Sequence, residues 1–399
     1  MFYKILHIIL FLIIAVTTAN SGFSQSIRFE FLGDSIELNQ LTKSKIAIKN
    51  GLSNETIADF YRQMNNSDNL QLISQLLEKK KSLQLNDWLY YQLIRNTAEQ
   101  LSPKATNYNQ YTLVKWFLLA KSGYDATLSY SKDHLLFYVR SEDNIYGIPF
   151  FEKNNHQYVC LNIHDYGQID FTKETVMQTT LIVPEGQRSF SYKITQMPDF
   201  KPSDYAVKEL QFNYHDQVYH FKVKLNPEVN KLFTNYPVAD FSTYFNIPLS
   251  KETYGSLIPA LKDNIQNMTQ SDGIDYLMRF TRYAFLYETD QENFGKEKRL
   301  SPEQTLLYDQ SDCDDRAALF FYLVKEIYNK GMIAVLYPTH ITIAVQLENP
   351  VGKPIIYNGK AYSICDPTPQ QNDLSIGQVS KNLKHTSYEV VYEYNPIHK

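Results

Sequence analysis

The fold of the C-terminal third of this chain is decided at residues 311–318, which read SDCDDRAA. Asp312 is a common helix N-cap residue, so it places Cys313 in the first turn of a helix. Apolar residues then recur every three or four positions as far as Tyr328, and Gly331 follows as the expected C-terminal stop. This pattern predicts a helix with one buried face and a thiol at its N-terminal end.

A thiol in this position lies beside free backbone N–H groups and the positive end of the helix dipole. Both favour the thiolate, and the free N–H groups can also hold a developing oxyanion. The neighbouring carboxylates of Asp314 and Asp315 act in the opposite direction, because nearby negative charge raises the pKa of a thiol. An imidazolium partner would have to outweigh them.

Two further polar residues stand at the ends of predicted strands. His340 precedes the alternating segment 341–345, and Asp366 follows the segment 361–365, which begins after a hairpin turn at 358–359. Two adjacent antiparallel strands would bring His340 and Asp366 side by side. Because an Asp that accepts from one imidazole nitrogen leaves the other nitrogen free, Cys313, His340 and Asp366 are the parts of a thiol-based acyl-transfer site.

Each of the three also has an ordinary structural explanation. A lone Cys in a helix is usually a small buried hydrophobe, a His before a strand is often a surface or hydrogen-bonded residue, and Asp-Pro is a common turn. The order of the elements that carry them favours the site.

The chain has only three cysteines, so at least one thiol is free, and a disulfide joining Cys365 to Cys160 or to Cys313 stays open.

The segments 285–290, 307–319, 338–345 and 361–368 resemble the transglutaminase-like superfamily, which has a papain-like fold. The resemblance covers only the C-terminal third of the chain. It implies that Cys313 is the nucleophile, His340 the base and acid, and Asp366 the residue that orients the imidazole. Two positions depart from the family pattern: Ser311, where glycine is frequent, and Thr342, where an aromatic residue is frequent.

The reaction that this resemblance implies is attack by the Cys313 thiolate on an amide carbonyl. His340 would protonate the leaving amine, and water or another amine would resolve the thioester. The resemblance does not choose between peptide cleavage, deamidation and cross-linking. Gln304 and Gln310 are candidates for an oxyanion side chain, and the Cys313 backbone N–H is the safer donor.

No cofactor and no metal site is predicted. Aspartates at 309, 312, 314 and 315 crowd the Cys313 region, but the glycine and glutamate that a calcium loop needs at its sixth and twelfth places are missing. His215 and His220 lack a third ligand and are expected at the surface. The net charge of -4, with no basic stripe, excludes nucleic acid as an expected partner.

The N-terminal residues 1–24 read as a cleaved export signal. An apolar run that is too short to span a bilayer follows Lys4, and small and polar residues come after it. The mature protein is therefore expected in the periplasm, at the cell surface or outside the cell, with no membrane-spanning segment.

The mature chain is predicted to be α+β in three domains. A length of 399 residues with 43% hydrophobic and 21% charged residues fits two or three globular domains. The boundaries are 25–165 for an N-terminal α+β domain, 166–248 for a β-rich middle domain and 249–399 for the transglutaminase-like domain.

The N-terminal domain repeats the order of elements in the last one. A helix that ends at a glycine is followed by strands through His134 and Asn162, in the places of His340 and Asp366. The cysteine position falls near residues 107–109, where no thiol is available. This region is either a degenerate copy of the transglutaminase-like fold or an unrelated α+β unit with the same order.

The sequence thus predicts a secreted or periplasmic cysteine protease or amidase of transglutaminase-like type, acting on a peptide or protein. The alternative is a non-catalytic binding or scaffolding protein that retains the fold. The two differ in whether Cys313 does chemistry.

Overall fold

The computed structural model of this protein describes residues 25–40, 51–167, 169–289, 292 and 298–396. The fold class is α+β, as predicted, with 35% helix, 25% strand and curled sheets. The predicted export signal lies outside the described residues, as does part of the charged loop expected between 288 and 303. Of the helices in these ranges, none is long and apolar enough to cross a membrane.

Most helices begin at a side chain that accepts a hydrogen bond from the backbone of the first turn, as at Ser53 and Asn107. Short 3-10 turns occupy Ile163–Asp165 and Pro202–Asp204. The α-helices span Asn54–Met64, Ser67–Ser82, Asp87–Leu101, Tyr108–Lys121, Glu228–Leu232, Phe241–Phe245, Lys251–Ile265, Gln270–Tyr283, Pro302–Leu307 and Cys313–Tyr328.

Two five-stranded antiparallel sheets organise the chain. The first contains, in spatial order, Phe150–Lys153, His156–Cys160, Leu135–Arg140, Ala126–Tyr130 and Met177–Gln178. The second contains Ile355–Tyr357, Lys360–Cys365, His340–Val345, Met332–Tyr337 and Glu389–Tyr394. Two-stranded pairs join Gln25–Phe31 to Asp34–Gln40, Ala206–Tyr214 to Gln217–Leu225, Ile145–Tyr146 to Val238–Ala239, and Leu286–Tyr287 to Gln310–Ser311.

The two sheets have the same strand order relative to the chain, and each follows a helix. We call Tyr108–Lys121 with the first sheet the first unit, and Cys313–Tyr328 with the second sheet the second unit. In both, the third and fourth strands form a hairpin at one edge, the fourth pairs with the second, and the last strand closes the other edge. This shared topology is what a degenerate internal copy predicts.

The strand registers show which positions of the two units correspond. Cys160 pairs with Tyr138 four residues after His134, and Ile364 pairs with Ala344 four residues after His340. Two residues beyond those paired positions stand Asn162 and Asp366. The first helical position is Tyr108 in one unit and Cys313 in the other.

The β-rich middle of the chain packs into the same core as both units. The hairpin of Ala206–Tyr214 and Gln217–Leu225 buries Phe212 and Phe221 against Phe280, with ring centroids 5.6 and 5.3 Å apart. Buried apolar residues of both units and of this hairpin form one continuous cluster.

Residues 189–194 have the alternating apolar pattern of a strand but are irregular in the structure. Phe190 and Tyr192 alternate inward as in a strand, but side chains satisfy the backbone where a neighbouring strand would. Ser191 N–H donates to Asp87 at 3.1 Å and Tyr192 N–H donates to Asp143 at 2.6 Å. This segment therefore has the burial pattern of a strand but not the backbone hydrogen bonding of one.

Candidate active site

The Cys313 helix begins at a capping box. Asp312 accepts from the N–H groups of Asp314 and Asp315 at 3.0 and 3.3 Å, and the Asp315 carboxylate accepts from Asp312 N–H at 3.4 Å. Asp315 is buried and also accepts from Leu300 N–H at 2.8 Å. The cap therefore fixes Cys313 at the first helical position and commits Asp315 to the backbone.

The side chains of His340 and Asp366 meet in the structure. His340 Nε2 lies 3.2 and 3.1 Å from the two carboxylate oxygens of Asp366. They meet because the strands that carry them are antiparallel neighbours, with Ile343 opposite Cys365. The pair is largely buried, with exposed side-chain fractions of 10% and 4%, and it leaves Nδ1 of His340 for another group.

The Cys313 thiol lies against the start of the strand that carries His340. It accepts from the backbone N–H of Ile341, the next residue after His340, and it donates to Asp314 Oδ1 at 3.4 Å. Within the described part of the chain, no hydrogen bond joins the thiol to the imidazole itself. The structure thus joins His340 to Asp366 and holds Cys313 beside the backbone of this strand.

The electrostatic environment keeps Cys313 protonated at rest. Burial, followed by the carboxylates of Asp314 and Asp312, raises the pKa of the thiol well above its ordinary value, while the Ile341 N–H opposes them. Burial is thus the largest cause of the raised pKa, and the second acidic neighbour after Asp314 is Asp312 and not Asp315. A neutral thiol becomes a nucleophile only when a base removes its proton.

Asp314 also has a cationic partner. Its Oδ2 lies 3.2 Å from Nε of Arg299, and the Arg299 guanidinium stands 3.9 Å from the centroid of the Phe241 ring. Arg299 stands 15 residues before Asp314 in the chain, so the fold, and not a neighbouring helix position, supplies this partner. The pairing offsets part of the negative charge that Asp314 presents to the thiol.

Asp366 is held by groups that sequence reasoning missed. Thr368 N–H and the Gln370 side chain donate to its two oxygens at 3.0 and 3.3 Å. Arg282, which is buried, donates to the Asp366 carbonyl and pairs with Asp373 at 2.7 Å. Arg282 sits in an amphipathic helix 84 residues upstream, so only the tertiary fold reveals that it positions Asp366.

Arg316 holds the backbone of the segment 282–286, which precedes the Cys313 helix in the chain. It is buried and donates to the carbonyls of Arg282, Phe285 and Leu286 at 2.6, 3.1 and 2.8 Å. These bonds fix the segment that pairs in parallel with Gln310–Ser311. Leu286 is left 66% exposed beside the site, as an apolar surface near the helix start.

The two candidates for an oxyanion side chain differ. Gln304 is 1% exposed, accepts from Ser301 N–H in a capping box and donates to Asn230 at 3.2 Å. Its amide is therefore committed to the helix Pro302–Leu307 and cannot serve. Gln310 remains a candidate, since it is partly exposed on the short strand before Cys313.

The residues around Cys313 do not fit a metal site well. Ligand atoms of Asp312, Cys313 and Asp314 lie within 4.8 Å of one another. Asp312, however, caps the helix, and Asp314 pairs with Arg299. These carboxylates already have the partners that a cation would replace.

The corresponding positions of the first unit form a different network. The Tyr108 hydroxyl accepts from Asn162 Nδ2 at 2.8 Å and donates to Asp165 at 2.8 Å. His134 Nδ1 lies 2.8 Å from Glu174. A phenol therefore stands where the second unit has its thiol, and thiol chemistry is absent from this position.

All three cysteines are free thiols, and Cys160 and Cys365 are buried. The structure therefore has neither of the disulfides that the cysteine count left open. Cys365 packs in the core between sheet and helix, on the opposite side of the chain from its neighbour Asp366, as the alternation of a strand requires.

No family model, no curated protein and no solved structure matches this chain.

Proposed function

We propose that this protein is an exported cysteine hydrolase of transglutaminase-like type, acting on amide bonds of peptides or proteins through a thioester. The observation that carries the proposal is the His340–Asp366 pair, at 3.1 Å, on the strand whose next backbone N–H contacts the Cys313 thiol. An imidazole oriented by a buried carboxylate beside a thiol at a helix start is the constellation for nucleophilic acyl transfer.

In this mechanism His340 acts first as a base. Because Nε2 faces Asp366, the proton of the Cys313 thiol passes to Nδ1 as the sulfur attacks the amide carbonyl. The tetrahedral intermediate places its oxyanion at the Cys313 backbone N–H, because the N–H groups of Asp314 and Asp315 already donate to Asp312. Collapse breaks the C–N bond, and His340 returns its proton to the leaving amine.

The second half of the cycle resolves the thioester. Water loses a proton to His340 and attacks the acyl carbon, and the sulfur leaves and recovers its proton. The Asp366 carboxylate stabilises the imidazolium that forms twice in the cycle. Arg282, through the Asp366 carbonyl and Asp373, holds this carboxylate in place.

A peptide-library comparison tests the proposal. Peptides from a denatured protein mixture are incubated with the mature protein and with Cys313→Ala, and mass spectrometry scores new termini, deamidated side chains and cross-links. The proposal predicts one of these products with the parent protein and none with Cys313→Ala. Cys160→Ala is the matched control and retains the activity, because Cys160 lies in the first unit.

One observation favours a second candidate, a non-catalytic binding or scaffolding protein. The thiol is protonated and donates to Asp314, and the first unit keeps the same topology with Tyr108 in place of a thiol. Under this alternative, Cys313→Ala leaves both the peptide library and the cellular role of the protein unchanged.

A further inference from the structure

A cavity of about 1300 Å³ lies beside the first unit. Its wall comes from residues 30–33 of the N-terminal hairpin, 92–111 of the first helices, 201–204 and 226–234. No residue of the Cys313 site belongs to it. Ligand cavities are typically concave sites with a few fixed polar groups, and a volume of this order accommodates a small molecule.

Arg95 gives the cavity wall a cation that lies near Asp165 but makes no direct salt bridge in the described chain. Its guanidinium donates to Gln92 Oε1 at 3.1 Å and to the Tyr111 hydroxyl. Among the residues that the structure describes, none forms an ion pair with it. By contrast Lys104, in the same wall, pairs with Asp165 at 2.6 Å. Arg95 is thus the group available to an anion that enters the cavity.

Two buried amides in the wall have N–H₂ groups without partners. Gln92 Nε2 and Asn226 Nδ2 are buried and make no hydrogen bond in the described chain. Both orientations are fixed, because Gln92 Oε1 accepts from Arg95 and Asn226 Oδ1 accepts from Glu228 N–H at 2.9 Å. A buried donor without a partner costs about 1–3 kcal/mol, so these two groups point to an acceptor that the protein itself does not supply.

The charged residues behind the wall are of both signs, with the basic ones in the majority. Lys115 is 1% exposed, and its ammonium lies 4.3 Å from the centroid of the Tyr111 ring. Lys104, Arg95 and Lys115 surround the carboxylate of Asp165, and Glu99 is a second acid in this wall, so three basic groups stand against two acidic ones on this side. The opposite side carries the acidic residues Glu30 and Asp204, together with Lys201, which pairs with Asp34 at 3.1 Å.

We infer that this cavity binds a small monocarboxylate, with its carboxylate on Arg95 and with a neutral or cationic remainder facing Glu30 and Asp204. The amide donors of Gln92 and Asn226 serve the acceptor atoms of the same ligand. Glu30 and Asp204 disfavour a second negative charge on the ligand, and an uncharged ligand would leave Arg95 without a direct salt bridge. The inference does not rest on the chemistry of Cys313.

Calorimetric titration of the mature protein with acetate and with tri-alanine tests this site. Acetamide and tri-alanine amide are the matched probes that lack the carboxylate. We expect tri-alanine to bind and its amide to bind at least about tenfold more weakly, because a hydrogen-bonded charge pair is lost. Binding by Cys313→Ala is expected to equal that of the parent, which separates this site from the proposed hydrolase.

Gln92→Glu is the decisive variant. The new carboxylate keeps the bond to Arg95 and supplies the missing negative charge within the protein, so tri-alanine binding falls at least about tenfold while the fold is retained. Gln211→Glu, an exposed change of the same kind on the middle hairpin, leaves binding unchanged. Failure of both acetate and tri-alanine to bind, equal binding of the amides, or full binding by Gln92→Glu overturns the inference.

Discussion

Replacing Asp314 with asparagine is expected to make Cys313 more reactive. The Asp314 carboxylate lies 3.4 Å from the thiol sulfur and is one of the charges that raise the thiol pKa. Removing its negative charge while keeping its shape lowers that pKa, because the thiolate then forms without a neighbouring anion. More thiolate is present at any pH below the pKa.

The size of this effect follows from the same contacts. Two unit charges at this distance interact by roughly 5 kcal/mol at an effective dielectric constant near 20. Arg299, 3.2 Å from the other oxygen of Asp314, offsets much of this, so we expect a net effect near 1.4 kcal/mol, or about tenfold in thiolate. A thiolate of lower pKa is also a weaker nucleophile, which reduces the gain in alkylation rate to about threefold.

The assay is the rate of iodoacetamide alkylation at neutral pH, mapped to Cys313 by mass spectrometry. Asp309→Asn is the matched control, since Asp309 is exposed and pairs with Lys208 at 2.8 Å. An unchanged or slower alkylation rate in Asp314→Asn, with the control at the parent rate, would show that the Asp314 carboxylate does not raise the pKa of the Cys313 thiol.

Three further variants test how buried charged or titratable residues affect the stability of the two units. Arg282→Met removes the donors to the Asp366 carbonyl and to Asp373, and we expect urea denaturation to show a loss of about 3 kcal/mol in unfolding free energy. Burial lowers the pKa of Lys115 to about 7, so the free energy of unfolding falls as the pH drops from the lysine pKa of the unfolded chain toward 7. The Lys115→Met variant is therefore expected to be about 2 kcal/mol more stable than the parent at pH 7. Equal stability of the two proteins would contradict this. Burial lowers the pKa of His164 to about 4, so the unfolded chain binds a proton first and stability is lost between about pH 6.5 and 4. Urea titrations are expected to show that His164→Gln loses about 2 kcal/mol less unfolding free energy than the parent across that pH range. Parallel plots of unfolding free energy against pH for the two proteins would show that His164 does not cause the loss.

The local pattern of the Cys313 region was enough to predict its helix and the meeting of His340 with Asp366. Capping by Asp312 and period-two alternation are local signals, and adjacent strands bring their ends together without further information. The predicted stop at Gly331 was two residues late, because Asn329 adopts the left-handed conformation there with φ 47°. Asparagine tolerates that conformation nearly as well as glycine.

The electrostatics and the supporting residues could not be read from the sequence. Which of Asp312, Asp314 and Asp315 faces the thiol depends on the rotation of the helix start and on Leu300. Arg282 and Arg316 look like ordinary helix charges until distant carbonyls are placed around them. The cavity beside Arg95 is formed by four separate parts of the chain, so no local pattern could indicate it.

The most direct test of the central claim, that Cys313 acts together with the His340–Asp366 pair, is the alkylation rate of Cys313 in His340→Ala. If His340 is the base for this thiol, the rate at neutral pH falls at least about a hundredfold, the lower end of the range that a positioned base contributes. His134→Ala, the corresponding change in the first unit, keeps the parent rate. Equal Cys313 alkylation in His340→Ala and the parent, with both proteins folded, would contradict the claim.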